Sequence, residues 1–184
     1  EAHALIKGID VSAALECEGV IGAWTAADLE LPPLPEVPGL ERPTLATDKV
    51  RFVGEAVAVI VAENKYAAAD GTELVVVDYD PLEAVTNIEE ATKDDAPLLF
   101  EELGSNTVAE VPSADDHQAV FDSAPHTETI KLINNRCTAA PIETSACLAD
   151  YGPAGLTIWA SFQAPHHLRN RISAWLGIPQ DQCR

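Results

Sequence analysis

Methionine is missing from all 184 residues of the sequence. A complete translated chain begins with one, and this chain begins Glu1-Ala2-His3, without the charged-then-apolar leader that marks a processed signal peptide. The expectation is an internal piece of a longer protein. Basic residues are scarce too: 11 Lys and Arg stand against 30 Asp and Glu, a formal charge of −19. Such a chain repels a phosphate backbone at long range, and no Lys/Arg cluster offsets the repulsion, so nucleic acid is excluded as a partner. Anionic membrane surfaces are disfavoured for the same reason. No apolar run approaches the roughly 18 residues of a membrane span, because Ala56 to Val61 is flanked by Glu55 and Glu63. Self-contained catalytic signatures are lacking as well: there is no GxSxG, P-loop, GxGxxG or HExxH.

Cysteine is sparse and scattered. Cys17, Cys137, Cys147 and Cys183 form no CxxC knuckle, and the closest pair is separated by nine residues. A Cys137–Cys147 disulfide is geometrically open, but the spread fits a reducing compartment, hence a cytoplasmic protein whose cysteines are small buried hydrophobes. His166-His167 is the one histidine cluster. Adjacent side chains on a helix diverge by about a hundred degrees, so no zinc site is supported. His117 and His126 read as surface residues.

What is present is core material. Hydrophobic residues make up 47% of the chain and the mean hydropathy is +0.01, enough for a sizeable core in one ordinary domain or two small ones. A soluble folded protein is the expectation. Asp10 and Ser12 cap a short helical turn, Gly19 stops it, and Val20 to Trp24 reads as a strand. A further turn at Thr25 to Leu29 leads into a stretch with Pro32, Pro33, Pro35, Pro38 and Pro43, where no regular element survives. Ala56 to Ala62 reads as a strand buried on both faces. Asn64 caps a helix through Leu74 with Gly71 as a weakness, and Val75 to Tyr79 is the next strand, so the three elements make a βαβ-sized unit. After the polar stretches Glu89 to Asp95 and Gly104 to Pro112, we expect a helix at Ala114 to Phe121 and a long strand at His126 to Arg136. A hairpin then pairs Ala146 to Tyr151 with Leu156 to Ser161. Pro165 opens a helix whose apolar face is Leu168, Ile172, Trp175 and Leu176; Gly177 closes it, and Ile178 to Arg184 turns toward another strand. No period of 20 to 50 residues repeats, which excludes a solenoid.

Two residues draw attention on chemical grounds. Glu143 lies between apolar strands in Ala139-Ala140-Pro141-Ile142-Glu143-Thr144 and reads as a partly buried carboxylate; bonding to neighbouring backbone N–H groups in a turn is favoured over a catalytic role. Gln163 stands at a strand-to-helix corner, where backbone donors and the helix dipole converge, and from the residues alone a structural amide is the safer assignment.

Arg51-Phe52-Val53-Gly54-Glu55 running into Ala56 to Glu63, then Asn64-Lys65-Tyr66-Ala67-Ala68-Ala69-Asp70, then Val77-Asp78-Tyr79-Asp80-Pro81-Leu82, resemble the a/b hammerhead domain of the xanthine dehydrogenase and aldehyde oxidase family. Ala140-Pro141-Ile142-Glu143-Thr144, Ser161-Phe162-Gln163-Ala164-Pro165-His166 and Trp175-Leu176-Gly177-Ile178-Pro179 resemble the opening of the adjoining molybdopterin-binding domain. The Pro165-His166 context and the Ile142-Glu143-Thr144 run with Cys147 are similar to the aerobic carbon monoxide dehydrogenase large-subunit branch. The hammerhead half fits the wider aldehyde-oxidising group equally well.

The resemblance implies an α+β fold: an N-terminally truncated hammerhead domain over 1–88, a linker over 89–112, and a C-terminally truncated start of the molybdopterin-binding domain over 113–184. It implies a large subunit carrying a molybdenum–molybdopterin cofactor, in the cytosine dinucleotide form if the source is bacterial. Such subunits oxidise carbon monoxide, an aldehyde or an N-heterocycle with water-derived oxygen. Electrons pass to [2Fe–2S] clusters and FAD on a small and a medium partner subunit, in a dimer of heterotrimers. One family position falls inside the chain: Gln163 matches the glutamine whose amide approaches an oxo ligand of the molybdenum. The family's glycine-rich cofactor loop and its glutamate base lie further along, so no catalytic residue or metal ligand is assigned here, and none of the cysteines is a cluster ligand. The competing expectation is a hammerhead-type module that acts without catalysis, with its acidic face and proline-rich excursion as a binding surface.

Overall fold

The computed structural model describes residues 1–31, 43–111 and 117–184. Pro32, Pro33, Pro35 and Pro38 of the proline-rich stretch, and the first residues of the helix expected from Ala114, lie outside that set. The chain divides into two compact α+β units, Glu1–Ser113 and Ala114–Arg184.

In the first unit β1 (Ala4–Asp10) is the middle of an antiparallel sheet. After α1 (Ser12–Leu15) and β2 (Val20–Thr25), the short β3 (Lys49–Val50) pairs with the start of β1, placing Ala4 opposite Val50. Next come β4 (Ala58–Ala62), α2 (Lys65–Glu73) and β5 (Val76–Pro81), and β5 covers the other edge of β1. Ala4, Ala46 and Val50 form the buried centre, with Ile6, Val57 and Tyr79 packed against it. Strands β2 and β4 make a separate antiparallel ribbon.

The strand–helix–strand run is therefore not a parallel crossover, since β4 and β5 belong to different sheets. Nor is β4 buried on both faces: Val59 and Val61 are exposed while Ala58, Ile60 and Ala62 are half-buried. A two-stranded ribbon has one face against α2, and periodicity of hydrophobicity alone cannot say how many layers cover a strand. Helix α2 is capped as expected, with the Asn64 side-chain oxygen accepting from the N–H groups of Tyr66 at 3.0 Å and Ala67 at 3.1 Å. Gly71 has a packing role rather than being a weakness. A Cβ there would stand 2.9 Å from Val20 Cγ2 and 3.1 Å from Ile60 Cγ2, so the glycine lets α2 lie close on the ribbon.

Residues 87–106 are tied into this unit by polar anchors. Asn87 caps α3 (Ile88–Ala91), and Asn106 accepts from the Leu99 N–H while donating to the carbonyls of Ala91 and Pro97. Lys49, itself buried, pairs with Glu101, and Arg51 donates to the Leu99 carbonyl at 2.8 Å with its guanidinium 4.7 Å from the Phe100 ring centroid. The Lys49 hydrogen bond holds the Glu101 carboxyl below its usual range.

The second unit contains α4 (Gln118–Ser123), the hairpin of β6 (Cys147–Gly152) and β7 (Gly155–Ala160), and α5 (Pro165–Leu176). The hairpin turns at Pro153-Ala154 in the expected register, Cys147 opposite Ala160 and Gly152 opposite Gly155. On the other edge of β7, Arg184 accepts from the Ile158 N–H at 2.8 Å and donates to the Leu156 carbonyl at 2.9 Å, around a parallel bridge between Leu156 and Cys183. Helix α5 has Pro165 in its first turn and Gly177 in the left-handed conformation at its end, both as expected. Only Leu168 and Ile172 of its apolar stripe are half-buried, across a groove from Leu156, Ile158 and Phe162; Trp175 and Leu176 are exposed.

Three expectations fail in this unit. His126 to Arg136 forms no strand, because an alternating segment becomes one only where an edge is open to pair with it, and none among the described residues takes it. Glu143 is exposed rather than partly buried. Of the four free cysteines only Cys183 is buried: Cys17 is half-buried in the first unit, while Cys137 and Cys147 are exposed, set on irregular chain and at the open end of β6.

Candidate functional site

The strand-to-helix corner after β7 gathers the chemically distinctive residues of the second unit. Its upstream anchor is Ser161, whose N–H donates to the Ala146 carbonyl at 3.2 Å, one rung beyond the hairpin. The Ser161 hydroxyl also donates to Glu143 Oε1 at 2.9 Å. The downstream anchor is Ala164, the N-cap of α5, whose carbonyl accepts the Leu168 N–H at 3.1 Å. Gln163 lies between these anchors. It is exposed, and among the described residues its amide has no hydrogen-bond partner.

Glu143 thus binds a side-chain hydroxyl across 18 positions, not the backbone of its own turn. Ser161 itself carries no signal in the sequence: a serine at a strand end is common, and only the fold brings it to Glu143. Cys147 and Trp159 line the concave surface around this pair.

The acidity of the chain does not extend to this region. Residues 117–184 carry five basic and five acidic side chains, so the whole of the −19 falls on residues 1–116. No side chain caps α5, which leaves the N–H groups of His166 and His167 without intrahelical partners at the positive end of the helix dipole. Among the described residues, no three His, Cys, Asp or Glu side chains stand together as metal ligands. A ligand at this corner would meet neutral donors, the Gln163 amide and the first backbone N–H groups of α5.

Both units of the chain match known protein families. The model of the aldehyde oxidase and xanthine dehydrogenase a/b hammerhead domain matches residues 1–83, and that of the molybdopterin cofactor-binding domain matches residues 99–184. The chain is 35% identical to the carbon monoxide dehydrogenase large chain of Afipia carboxidovorans, over 97% of this chain and 24% of that protein. It is 36% identical to the nicotine 6-hydroxylase large subunit of Paenarthrobacter nicotinovorans, over 98% of this chain and 23% of that protein. The solved structure of reconstituted CO dehydrogenase from Oligotropha carboxidovorans superposes with a TM-score of 0.87 at 35% identity, covering 100% of this chain and 25% of that one. The chain spans about a quarter of the length of these relatives.

Proposed function

The chain belongs to the aldehyde oxidase and xanthine dehydrogenase family of molybdenum-dependent oxidoreductases, and from this we propose that it is part of the molybdenum-cofactor-binding large subunit of a hydroxylase. The division is the hammerhead domain over 1–88, a connecting stretch over 89–112 and the beginning of the cofactor-binding domain over 113–184. The observation that carries the reading is the correspondence of both domains, in order, along nearly the whole chain.

The substrate class is carbon monoxide, an aldehyde or an N-heterocycle. The relatives named for carbon monoxide and for nicotine are almost equally similar over this region, which supports that breadth and no narrower choice. The cofactor is molybdenum–molybdopterin, in its cytosine dinucleotide form for a bacterial protein, and the partners are a [2Fe–2S] small subunit and an FAD-binding medium subunit in a dimer of heterotrimers. The location is cytoplasmic, consistent with four free cysteines.

When bound, the cofactor supplies two-electron oxidation of the substrate with oxygen drawn from water. The part this chain contributes is electrostatic. The Gln163 amide donates a neutral hydrogen bond to oxygen-borne charge, and because it does not titrate, that contribution is constant across pH. Pro165 fixes the start of α5, and the uncapped N–H groups of His166 and His167 add donors beside the glutamine. In ¹⁸O-enriched water, the full-length protein with its partner subunits is expected to oxidise one of the three substrate classes and to place the label in the product. Oxidation of none of them, or label drawn from dioxygen, would contradict the proposal.

A further inference from the structure

We propose that Glu143 is a positioning residue for Gln163, acting through the hydroxyl of Ser161; the inference rests on the reading of Gln163 given above. Only Phe162, Gln163 and Ala164 separate Ser161 from the first turn of α5, so the place of the Gln163 amide is set by where those two anchors stand. The helix fixes one through the Ala164 carbonyl. The other is fixed twice, by the Ser161 N–H to Ala146 and by the Ser161 hydroxyl to Glu143.

The hydroxyl bond is charge-assisted and directional, with its acceptor on Glu143. It also joins the hairpin to a segment without regular structure, 124–146. That segment carries backbone strain three residues before Glu143. Ala140 has φ of 38°, among the described residues the one non-glycine at positive φ, a conformation that a residue with a Cβ adopts only under strain. Because Glu143 is exposed, its bond adds little to global stability. Its effect falls on where the corner stands, and hence on the geometry of the one unpartnered amide there.

Five variants of the full-length holoenzyme test this: Glu143→Ala, Glu143→Gln, Gln163→Ala, the double Glu143→Ala/Gln163→Ala, and Ser161→Ala as an independent break of the same bond. Glu143→Ala and Ser161→Ala should each lower kcat about tenfold with KM and molybdenum content unchanged, as a small misplacement of an oriented group does. The same two variants should alter the molybdenum electron paramagnetic resonance signal. Glu143→Gln, whose amide oxygen still accepts from Ser161, should recover most of the rate. The double variant should be no slower than Gln163→Ala alone. Effects of Glu143→Ala and Gln163→Ala that multiply in full would overturn the proposal, as would a Glu143→Gln enzyme as slow as Glu143→Ala. A Gln163→Ala enzyme with unchanged kcat would instead remove Gln163 from the site, and the positioning role with it.

Discussion

Gln163→Ala in the full-length holoenzyme is expected to lower kcat by about 10²- to 10³-fold, the range seen when one preorganised donor to a developing oxyanion is removed. The donor is well placed for the purpose. Among the described residues no protein group occupies its amide, it sits beside the uncapped start of a 12-residue helix, and it lies in the charge-balanced part of an otherwise acidic chain. Its amide is free to donate, whereas those of Asn64 and Asn106 are bonded to the backbone they support. The loss should fall on kcat, leaving molybdenum content and thermal unfolding as in the parent. Gln163→Glu separates donor from shape. It keeps the length of the side chain but brings an anion toward oxygen-borne charge, so its rate should be as low as that of the alanine variant at neutral pH and should rise on acidification, as the carboxyl protonates and regains a donor. Steady-state kinetics across pH, with metal analysis of each variant, check both statements.

The largest expected effect on stability is at Gly155. Its φ of +105° suits glycine alone, and a Cβ would sit well inside van der Waals contact distance of the Gln182 carbonyl oxygen and 3.0 Å from its carbonyl carbon. The obstacle is backbone, which cannot swing aside. It belongs to the segment that brings Cys183 and Arg184 onto the edge of β7. Gly155→Ala should therefore cost about 2–4 kcal/mol, by forcing either a strained turn or loss of that parallel contact. Gly152, its partner across the hairpin, has room for a methyl group, with no atom within 4 Å of where a Cβ would stand, and Gly152→Ala should change stability by less than about 0.5 kcal/mol. Chemical denaturation of the two full-length variants, followed by hydrogen exchange at Leu156 and Ile158, measures the contrast. Equal stability in both would mean the β7 edge contact contributes nothing.

Elements governed by their own residues are legible in the sequence. The Asn64 cap, the glycine-bounded hairpin, and α5 between Pro165 and Gly177 all follow from local backbone chemistry, and all are found. What stays hidden depends on partners distant along the chain. His126 to Arg136 alternates as a strand would, yet alternation does not supply an edge to pair with. Gly71 looks like a flaw in a helix because the pressure that selects it comes from Val20 and Ile60 on other elements. The bond between Glu143 and Ser161 spans 18 positions and leaves no periodic trace. Gln163 is a third case: its place at a corner is readable from the pattern, but its assignment comes from resemblance, since an amide at a helix start is ordinarily structural.

The central claim is that the protein of which this chain is part carries a molybdenum–pterin cofactor. Elemental analysis of the purified full-length protein, paired with fluorescence of the released and oxidised pterin, tests it most directly. The prediction is roughly one molybdenum per polypeptide with pterin in equal amount. Folded full-length protein, produced in a host that makes the cofactor and still free of both molybdenum and pterin, would contradict the account and favour a hammerhead-type module that serves interaction alone.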